Sequence, residues 1–345
     1  MNKRVAAIDL GTNTVRLIVA EGRPGGYTTL YSNQAITRLG QGLHVTGALS
    51  PQAIERTVSA IAAMLDEAAP HKPFAIHAAA TSAAREAGNT AELDQALRAR
   101  IGGGLEVIPW EKEARLALKG ARLALGAANG RILLFDIGGG STEFILGAGD
   151  SVAGAHGTDL GVVRLAETYL TRHPVIPGEV ERMAAEARRK IDEAVSALPL
   201  DGSETLVGTA GTVTALAAID LGLDQFDPEK VNGHRLTLGA VTRMGEWLMG
   251  MTLAERGRIP GLSGGREDLI VPGTVIVEET MRRAGKDWML VSDYGLREGR
   301  RTSRSPSTPP PPAPRARART NTPKAILRAR WSRTSTRNGR NRTTG

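Results

Sequence analysis

Two short segments of the sequence place an aspartate, glycines and hydroxyl side chains directly after a run of apolar residues. The first is residues 9–14, and the second is residues 136–142, followed by Glu143. A glycine after a strand lets backbone N–H groups turn toward an anion, and Ser, Thr and Asn side chains add donors. An aspartate can hold a hydrated divalent cation that neutralises phosphate charge. The pair therefore predicts a site that grips phosphate between two loops.

Each loop also has other interpretations. The first is compatible with an ordinary hairpin turn, because Gly, Asn and Thr are common turn residues. The second is less typical of a plain turn, because its three consecutive glycines, residues 138–140, cost backbone entropy on folding. Two Asp-containing turns also occur in aspartic proteases, whose two carboxylates share one proton. That class is excluded, because Leu10 and Ile137 stand where its loops have Thr or Ser and because strands alternate with helices here.

The elements around the loops follow an α/β pattern. Strands are predicted at residues 5–10, 15–20, 74–80, 105–108, 132–137, 143–146, 206–208 and 288–292. Helices are predicted at 51–69 with Ser50 as N-cap, and at 92–100, 111–125, 160–170, 178–197, 212–220, 238–249 and 266–283. The strand, Asp-Gly turn and second strand occur twice, with Asp9 and Asp136 127 residues apart. We therefore expect one duplicated α/β unit per domain, with a boundary near residues 126–130.

Length and composition narrow the class of protein. A chain of 345 residues suggests two domains of ordinary size. The absence of cysteine excludes disulfides, thiolate metal sites and a cysteine nucleophile, and it fits a reducing compartment. The six histidines show no metal-ligand spacing. No apolar run is long enough for a signal peptide or a membrane span, so we expect a cytoplasmic protein.

The net charge of +8 comes from one end of the chain. Residues 301–345 carry twelve Lys or Arg and no acid, whereas residues 1–300 carry 32 basic and 36 acidic residues, a net charge of −4. The tail is Pro- and Arg-rich without apolar periodicity, which predicts disorder. It is interpreted either as a basic arm for polyanions or as a non-functional extension, and the second interpretation is favoured because such composition is uninformative.

Further segments accompany the two loops in a specific order and spacing. They are residues 80–87, 111–116, 208–212, 260–268 and 292–299. With them, nearly all of residues 1–300 resembles the exopolyphosphatase and guanosine pentaphosphate phosphohydrolase (Ppx/GppA) family of the actin-like ATPase superfamily. The resemblance implies two duplicated actin-like (ribonuclease H-like) domains, residues 1–126 and 127–300, with an active-site cleft between them. The chain would be the short form, followed by the tail at 301–345.

The resemblance also implies roles for individual residues. Glu113 matches the general base that acts on water; from spacing alone, Glu111 competes with it, and an acid at a helix start also simply complements the helix dipole. Trp110 and Lys112 depart from the family pattern, which has Gly and an acid there. Arg85 matches a phosphate-binding arginine, and the metal-associated carboxylates are Asp9, Asp136 and Glu143. The remaining phosphate contacts are Gly11, Thr12, Asn13, Thr14, Gly138, Gly139, Gly140, Ser141, Thr142 and Arg266.

The expected activity is metal-assisted hydrolysis of terminal phosphoanhydride bonds of inorganic polyphosphate, with Mg²⁺ or another divalent cation as cofactor. The alternative is removal of the 5′ γ-phosphate of guanosine pentaphosphate (pppGpp), which would use the same site. A nucleotide-binding actin-like switch without turnover is less favoured, because a pure binder needs no positioned base. The resemblance implies a homodimer. No membrane partner is expected, and nucleic acid would bind only nonspecifically through the tail.

Overall fold

Two β-sheets, one from each half of the sequence, organise the chain in the computed structural model. The structure describes residues 4–23, 26–125, 130–149, 151–262 and 264–295. We call each sheet with the helices packed on it a lobe. The alternation of strands and helices confirms the predicted α/β class.

The first sheet has the strand order β3-β2-β1-β4-β5. Its strands are β1 Arg4–Leu10, β2 Thr14–Arg23, β3 Gly26–Ile36, β4 Ala75–Ala80 and β5 Leu105–Val107. The β1, β2 and β3 strands are antiparallel neighbours, whereas β4 and β5 run parallel to β1. The carboxyl ends of β1 and β4 therefore lie side by side, with Leu10 paired to Ala80.

The second sheet repeats this arrangement and adds an edge strand, in the order β10-β11-β9-β6-β7-β8. Its strands are β6 Arg131–Ile137, β7 Thr142–Ala148, β8 Ser151–Thr158, β9 Thr205–Thr209, β10 Arg235–Thr237 and β11 Trp288–Ser292. The β6, β7 and β8 strands are antiparallel, and β9 and β11 are parallel, as in the first sheet. The repeat predicted from Asp9 and Asp136 is thus present, since each aspartate stands near the end of the equivalent strand.

Helices cover the sheets. They are α1 Leu43–Thr46, α2 Pro51–Ala68, α3 Ser82–Glu86, α4 Thr90–Ile101, α5 Trp110–Leu125, α6 Val162–Tyr169, α7 Pro177–Ser196, α8 Ala210–Asp220, α9 Pro228–Val231, α10 Leu238–Met249, α11 Leu253–Arg256 and α12 Ile270–Arg283. The predicted N-cap of α2 is confirmed, because the Ser50 hydroxyl accepts the Ala53 N–H at 3.2 Å. Burial of the aliphatic face of α2, including Ile54, Val58 and Ile61, fixes it on the first sheet.

Helix α5 packs on the second sheet, although it precedes the predicted domain boundary. Its small and aliphatic face, Ala114, Ala117, Leu118 and Ala121, is buried together with Ile132 and other side chains of that sheet. The predicted boundary itself, between residues 126 and 127, falls outside the described residues, as does the tail at 301–345. Helix α5, which carries Glu113 in its first turn, is therefore held by the second lobe.

Some element boundaries differ from the prediction. The strand predicted from residue 74 begins at Ala75, and the Phe74 side chain is exposed. The helix predicted at 266–283 begins at Ile270, so Arg266 lies in the turn before it. Strands β3 and β8 were not predicted, because β3 is rich in Thr, Ser and Asn and β8 is rich in Gly and Ala, without an apolar run. Within the described ranges no helix is long and apolar enough to cross a membrane.

Candidate active site

The two glycine loops lie together on a cavity of about 430 Å³. The cavity is lined by both lobes at the carboxyl ends of their parallel strands, which is where ligands bind in open α/β sheets. Of the predicted residues, it is lined by Asp9, Gly11, Thr12, Asn13, Thr14, Glu113, Asp136, Gly138, Gly139, Ser141, Glu143 and Arg266. Most of the residues predicted from two distant segments thus share one site.

The loops are the same turn built twice. In the first, the Gly11 N–H donates to the Thr14 carbonyl at 3.0 Å, and in the second the Gly138 N–H donates to the Ser141 carbonyl at 2.8 Å. The loops also touch, because a Cβ added to Gly139 would lie 2.9 Å from Thr12 Cβ. A side chain at this position would therefore force the loops apart.

Each loop is held by hydrogen bonds that its backbone carbonyls accept, whereas some of its N–H groups form no such bond in the described part of the chain. The carbonyls of Thr12 and Asn13 accept hydrogen bonds from residues 37, 38 and 40, and those of Gly138 and Gly139 accept them from the start of α6. Among the loop residues that line the cavity, the N–H groups of Thr12, Asn13 and Gly139 have no hydrogen-bond partner in the described ranges. Clustered N–H groups of this kind suit an anion such as phosphate.

The strand pairing gives the two halves of the site different charges. Asp9 on β1 is paired with Arg16 on β2, and the equivalent Asp136 on β6 is paired with Glu143 on β7. Side chains of directly paired strand residues stand on the same face and are close together. The first lobe therefore offers an acid and a cation, whereas the second offers two acids.

Glu113 lies in the first turn of α5 and is largely buried. Its carboxylate forms an ion pair with the Arg85 guanidinium, which also donates to the Ile108 carbonyl at 3.0 Å. Removal from water raises the pKa of Glu113 to about 7; the positive charge of Arg85 opposes this rise, and the charges of Asp136 and Asp9 add to it. A carboxylate with a pKa near neutrality is suited to accept a proton from water.

The carboxylates of the second lobe are also held away from water. Burial raises the pKa of Asp136 to about 6, against the opposing charge of Arg16. Burial, together with the charges of Glu113 and Asp136, also raises the pKa of Glu143, although the Ser141 hydroxyl donates to its carboxylate at 2.7 Å. Glu113, Asp136 and Glu143 thus lie close enough for their charges to interact, with the Arg85 guanidinium in contact with Glu113 and Glu143.

The donors present fit a hydrated divalent cation. In the described part of the chain, no three or more acidic or histidine side chains form a ready-made metal cluster. Magnesium does not require one, since it is usually held by one or two carboxylates together with waters and phosphate oxygens. The buried Oδ1 of Asn13 lacks a hydrogen-bond partner among the described residues, and it would accept a hydrogen bond from such a water. Asp136 and Glu143, with Asp9 facing them across the cleft, are the carboxylates that would hold the cation.

Two arginines supply positive charge to the cavity. Arg16 lines it from the first lobe, and Arg266 lines it from the turn before α12. The Arg266 guanidinium donates to the Gly211 carbonyl at 3.1 Å, and burial together with the charge of Arg16 lowers the pKa of Arg266 to about 10. Guanidinium groups of this kind suit an anionic ligand.

Three predicted residues do not line the cavity. Thr142 is fully buried, and its hydroxyl donates to the Leu160 carbonyl at 2.6 Å, so its side chain fastens β7 instead of facing a ligand. Gly140 lies behind the loop, where an added Cβ would be 3.0 Å from Ser82 Oγ. Arg85 contacts Glu113 and, at 3.8 Å, Glu143. In this arrangement its guanidinium orients carboxylates, and its contact with phosphate stays a prediction.

Several cavity residues were missed from the sequence. Arg16 had a usable signal, since it follows Asp9 by seven positions just as Glu143 follows Asp136. Ala210 is the first residue of α8, directly after β9, and has a φ of 75°, a strained conformation for a non-glycine residue that is often found at functional sites. Phe226 is an aromatic side chain on the wall of the cavity and 43% exposed. Ala210 lies in the segment 208–212 that accompanies the two loops, whereas Phe226 had no sequence signal, because the chain fold alone brings it to the cavity.

The raised pKa values predict how stability depends on pH. Glu113 and Asp136 have pKa values of about 7 and 6 in the folded protein, above their ordinary values of 4.5 and 3.8. Their contribution to stability is therefore complete below pH 4 and lost as pH rises through 6 to 7; for Glu113 the loss is on the order of 3 kcal/mol. We expect the Tm of the protein in EDTA to fall by several degrees between pH 5 and pH 8.

Thermal unfolding of Asp136→Asn provides the matched comparison for this prediction. The variant keeps the shape of the side chain but cannot ionise, so its Tm should fall less than that of the wild type over the same pH range. An equal fall in both proteins would show that Asp136 does not carry the raised pKa.

The chain is similar to known proteins in sequence and in fold. The model of the Ppx/GppA phosphatase family matches residues 18–308. Exopolyphosphatase 2 of Mycobacterium tuberculosis is 35% identical over 309 residues, which cover 86% of this chain and 97% of that protein. A solved exopolyphosphatase-like protein superimposes with a TM-score of 0.81 at 30% identity, over 88% of this chain and 98% of that one. The Ppx/GppA family member of Aquifex aeolicus gives a TM-score of 0.70 at 32% identity, over 87% and 96%. The predicted actin-like fold is confirmed.

Proposed function

The chain belongs to the Ppx/GppA phosphatase family, and from this premise we propose that it is an exopolyphosphatase that hydrolyses the terminal phosphoanhydride bond of inorganic polyphosphate. The observation that carries the proposal is the position of Glu113. A buried carboxylate with a pKa near neutrality lines the same cavity as two phosphate-type loops. A binding site for an anion alone would gain nothing from a basic carboxylate placed there.

The loops would bind the end of the phosphate chain. The N–H groups at the tips of both loops, with the Asn13 and Ser141 side chains, are donors to phosphate oxygens, and Arg16 and Arg266 add positive charge. Because the loops belong to different lobes and touch at Thr12 and Gly139, both contribute to one cavity. Positioning of this kind supplies much of the catalysis in phosphoryl transfer.

Glu113 would activate the water. Its carboxylate accepts a proton as the water oxygen bonds to the terminal phosphorus, and the bond from that phosphorus to the bridging oxygen breaks. The products are orthophosphate and a chain shorter by one phosphate, whose new end carries the negative charge. Arg85 keeps the Glu113 carboxylate in place through their ion pair. A divalent cation, when held by Asp136, Glu143 and Asp9, would neutralise charge on the reacting phosphates.

A substitution at the contact between the loops tests this geometry. In Gly139→Ala, the new methyl group would meet Thr12 at 2.9 Å and Val163 at 3.2 Å, and the loops must separate. We expect kcat/KM for phosphate release to fall at least about tenfold, since an active-site displacement of about 1 Å can cost roughly a hundredfold. Gly157→Ala on β8 is the control, because a Cβ there meets nothing within 4 Å. Equal losses in both variants would contradict a specific role for the contact.

Hydrolysis of pppGpp is the second candidate, and one feature favours it. The cavity lining also includes apolar residues, Ala215, Phe226, Leu269 and Ile270. An exposed aromatic ring on a cavity wall can stack on a nucleobase. A nucleotide-binding switch without turnover is less favoured, because Glu113 and its ion pair with Arg85 serve no purpose in binding alone.

A comparison of substrates tests the proposal. Purified protein with Mg²⁺ is given long-chain polyphosphate or pppGpp, and released orthophosphate is measured. We expect a higher kcat/KM for polyphosphate, unchanged in Phe226→Ser, because a phosphate chain has no base to stack on the ring. A higher kcat/KM for pppGpp that falls in Phe226→Ser would replace the proposal with the second candidate.

A further inference from the structure

The outer face of helix α5 carries a row of cations. Lys112, Arg115, Lys119 and Arg122 are spaced by three, four and three residues, which places them on one side of an α-helix over about 15 Å. The opposite side carries the residues that pack on the second sheet, so the row faces solvent. We call Lys112, Arg115 and Lys119 the α5 basic row, because Arg122 curls back toward the Gly130 carbonyl at 3.4 Å.

The α5 basic row is unfavourable for the helix itself. Like charges three or four residues apart repel, and cations near a helix N-terminus oppose the helix dipole. Lys112 pairs with Glu106, but Arg115 and Lys119 are exposed and form no ion pair within the described ranges, not even with Glu111. On α7, by contrast, Arg188, Arg189 and Lys190 are all paired with acids.

The row begins at the candidate active site. Lys112 is next to Glu113, which lines the cavity, and the row runs away from that residue along the helix. The Glu113 side chain points about 160° and 120° around the helix from those of Arg115 and Lys119, so a phosphate chain with its end at Glu113 would reach the row by passing around the first turn of α5 at Lys112. Residues 1–300 have a net charge of −4, so two exposed cations without an ion pair in the described ranges, Arg115 and Lys119, stand out.

We propose that the α5 basic row, chiefly Arg115 and Lys119, binds the part of a long linear polyphosphate that lies outside the catalytic cavity. The inference rests on the proposed function and deepens it, because it makes the enzyme selective for long chains. The row holds the polymer by charge and takes no part in the hydrolysis step, so it affects KM and not kcat.

The test compares polyphosphates of different lengths as substrates of the protein, with residues 1–345 present. Phosphate release from long-chain polyphosphate and from tripolyphosphate is measured in the wild type, in Arg115→Ala/Lys119→Ala, and in a control variant, Arg182→Ala/Arg243→Ala, which removes exposed arginines from α7 and α10. We expect the α5 variant to raise KM for long chains at least about tenfold and to weaken its salt dependence, since two cations near a polyanion are lost. Its kcat, and its KM for tripolyphosphate, should stay within about twofold, because the short substrate fits in the cavity. The tail is present in all three proteins.

Each outcome is decisive. Equal changes for long and short substrates, no change, or the same change in the control variant would overturn the inference while the proposed function stands. If the wild type releases no phosphate from any polyphosphate, the proposed function fails. Equilibrium binding of long-chain polyphosphate to wild type and α5 variant then decides the inference, and equal affinities overturn it. A loss of single-stranded RNA binding with polyphosphate binding unchanged would overturn the assignment to polyphosphate.

Discussion

Replacing Glu113 with glutamine is expected to lower kcat for phosphate release between about a hundredfold and ten-thousandfold, the usual contribution of a general base. The amide has nearly the same shape as the carboxylate but cannot take a proton from water. KM should change little, because the loops and arginines that hold the phosphate remain. The effect is therefore expected on the chemical step and not on binding.

Glu111→Gln is the matched control for this prediction. Glu111 belongs to the same helical turn, but its side chain is exposed and it does not line the cavity. Steady-state rates of phosphate release from polyphosphate, measured for both variants and the wild type, separate the two glutamates. A large loss in Glu111→Gln with full activity in Glu113→Gln would transfer the role of base to Glu111.

Removing divalent cations should also have a large effect. The charge of Asp136 raises the pKa of Glu113, and the charges of Glu113 and Asp136 raise that of Glu143. A polyanionic substrate adds more negative charge to the same cavity. Without a neutralising cation we expect phosphate release by the wild type in EDTA to fall at least about a hundredfold, and added Mg²⁺ to restore it. Undiminished turnover in EDTA would contradict the assignment of a cation to this site.

Glu143→Gln tests which residues hold the cation. The variant loses one carboxylate, so we expect the Mg²⁺ concentration for half-maximal activity to rise about tenfold or more. Glu167→Gln is the control, because Glu167 on α6 accepts from the Gly42 N–H outside the main cavity. If the Mg²⁺ requirement is the same in Glu143→Gln and the wild type, Glu143 is not a ligand.

Much of the fold follows from local patterns in the sequence. The apolar runs that end at Asp9 and Asp136 are strong strand signals, and their repetition predicts the duplicated sheets. Ser50 with Pro51 fixes the start of α2 through local hydrogen bonding and backbone geometry. Strands β3 and β8 escaped prediction because their place comes from pairing with β2 and β7, and not from an apolar pattern of their own.

The part of the site that the two glycine loops form could be predicted from the sequence. Gly11 and Gly138 act through backbone turns that a short sequence encodes. The role of Arg85 could not be read in the same way, because its partner Glu113 comes from a helix that packs on the other sheet. Thr142 was misplaced for a related reason: strand alternation turns its side chain away from the cavity, whereas Glu143, one residue later, faces it.

The most direct test of the central claim follows the oxygen of water during hydrolysis of long-chain polyphosphate. The reaction is run in ¹⁸O-labelled water with Mg²⁺, and the products are examined by ³¹P NMR and mass spectrometry. Attack on the terminal phosphorus predicts orthophosphate carrying one ¹⁸O, an unlabelled remaining chain, and loss of the reaction in Glu113→Gln. Label in the remaining chain end, fragments of intermediate length, or labelled orthophosphate at the wild-type rate from Glu113→Gln would contradict the account.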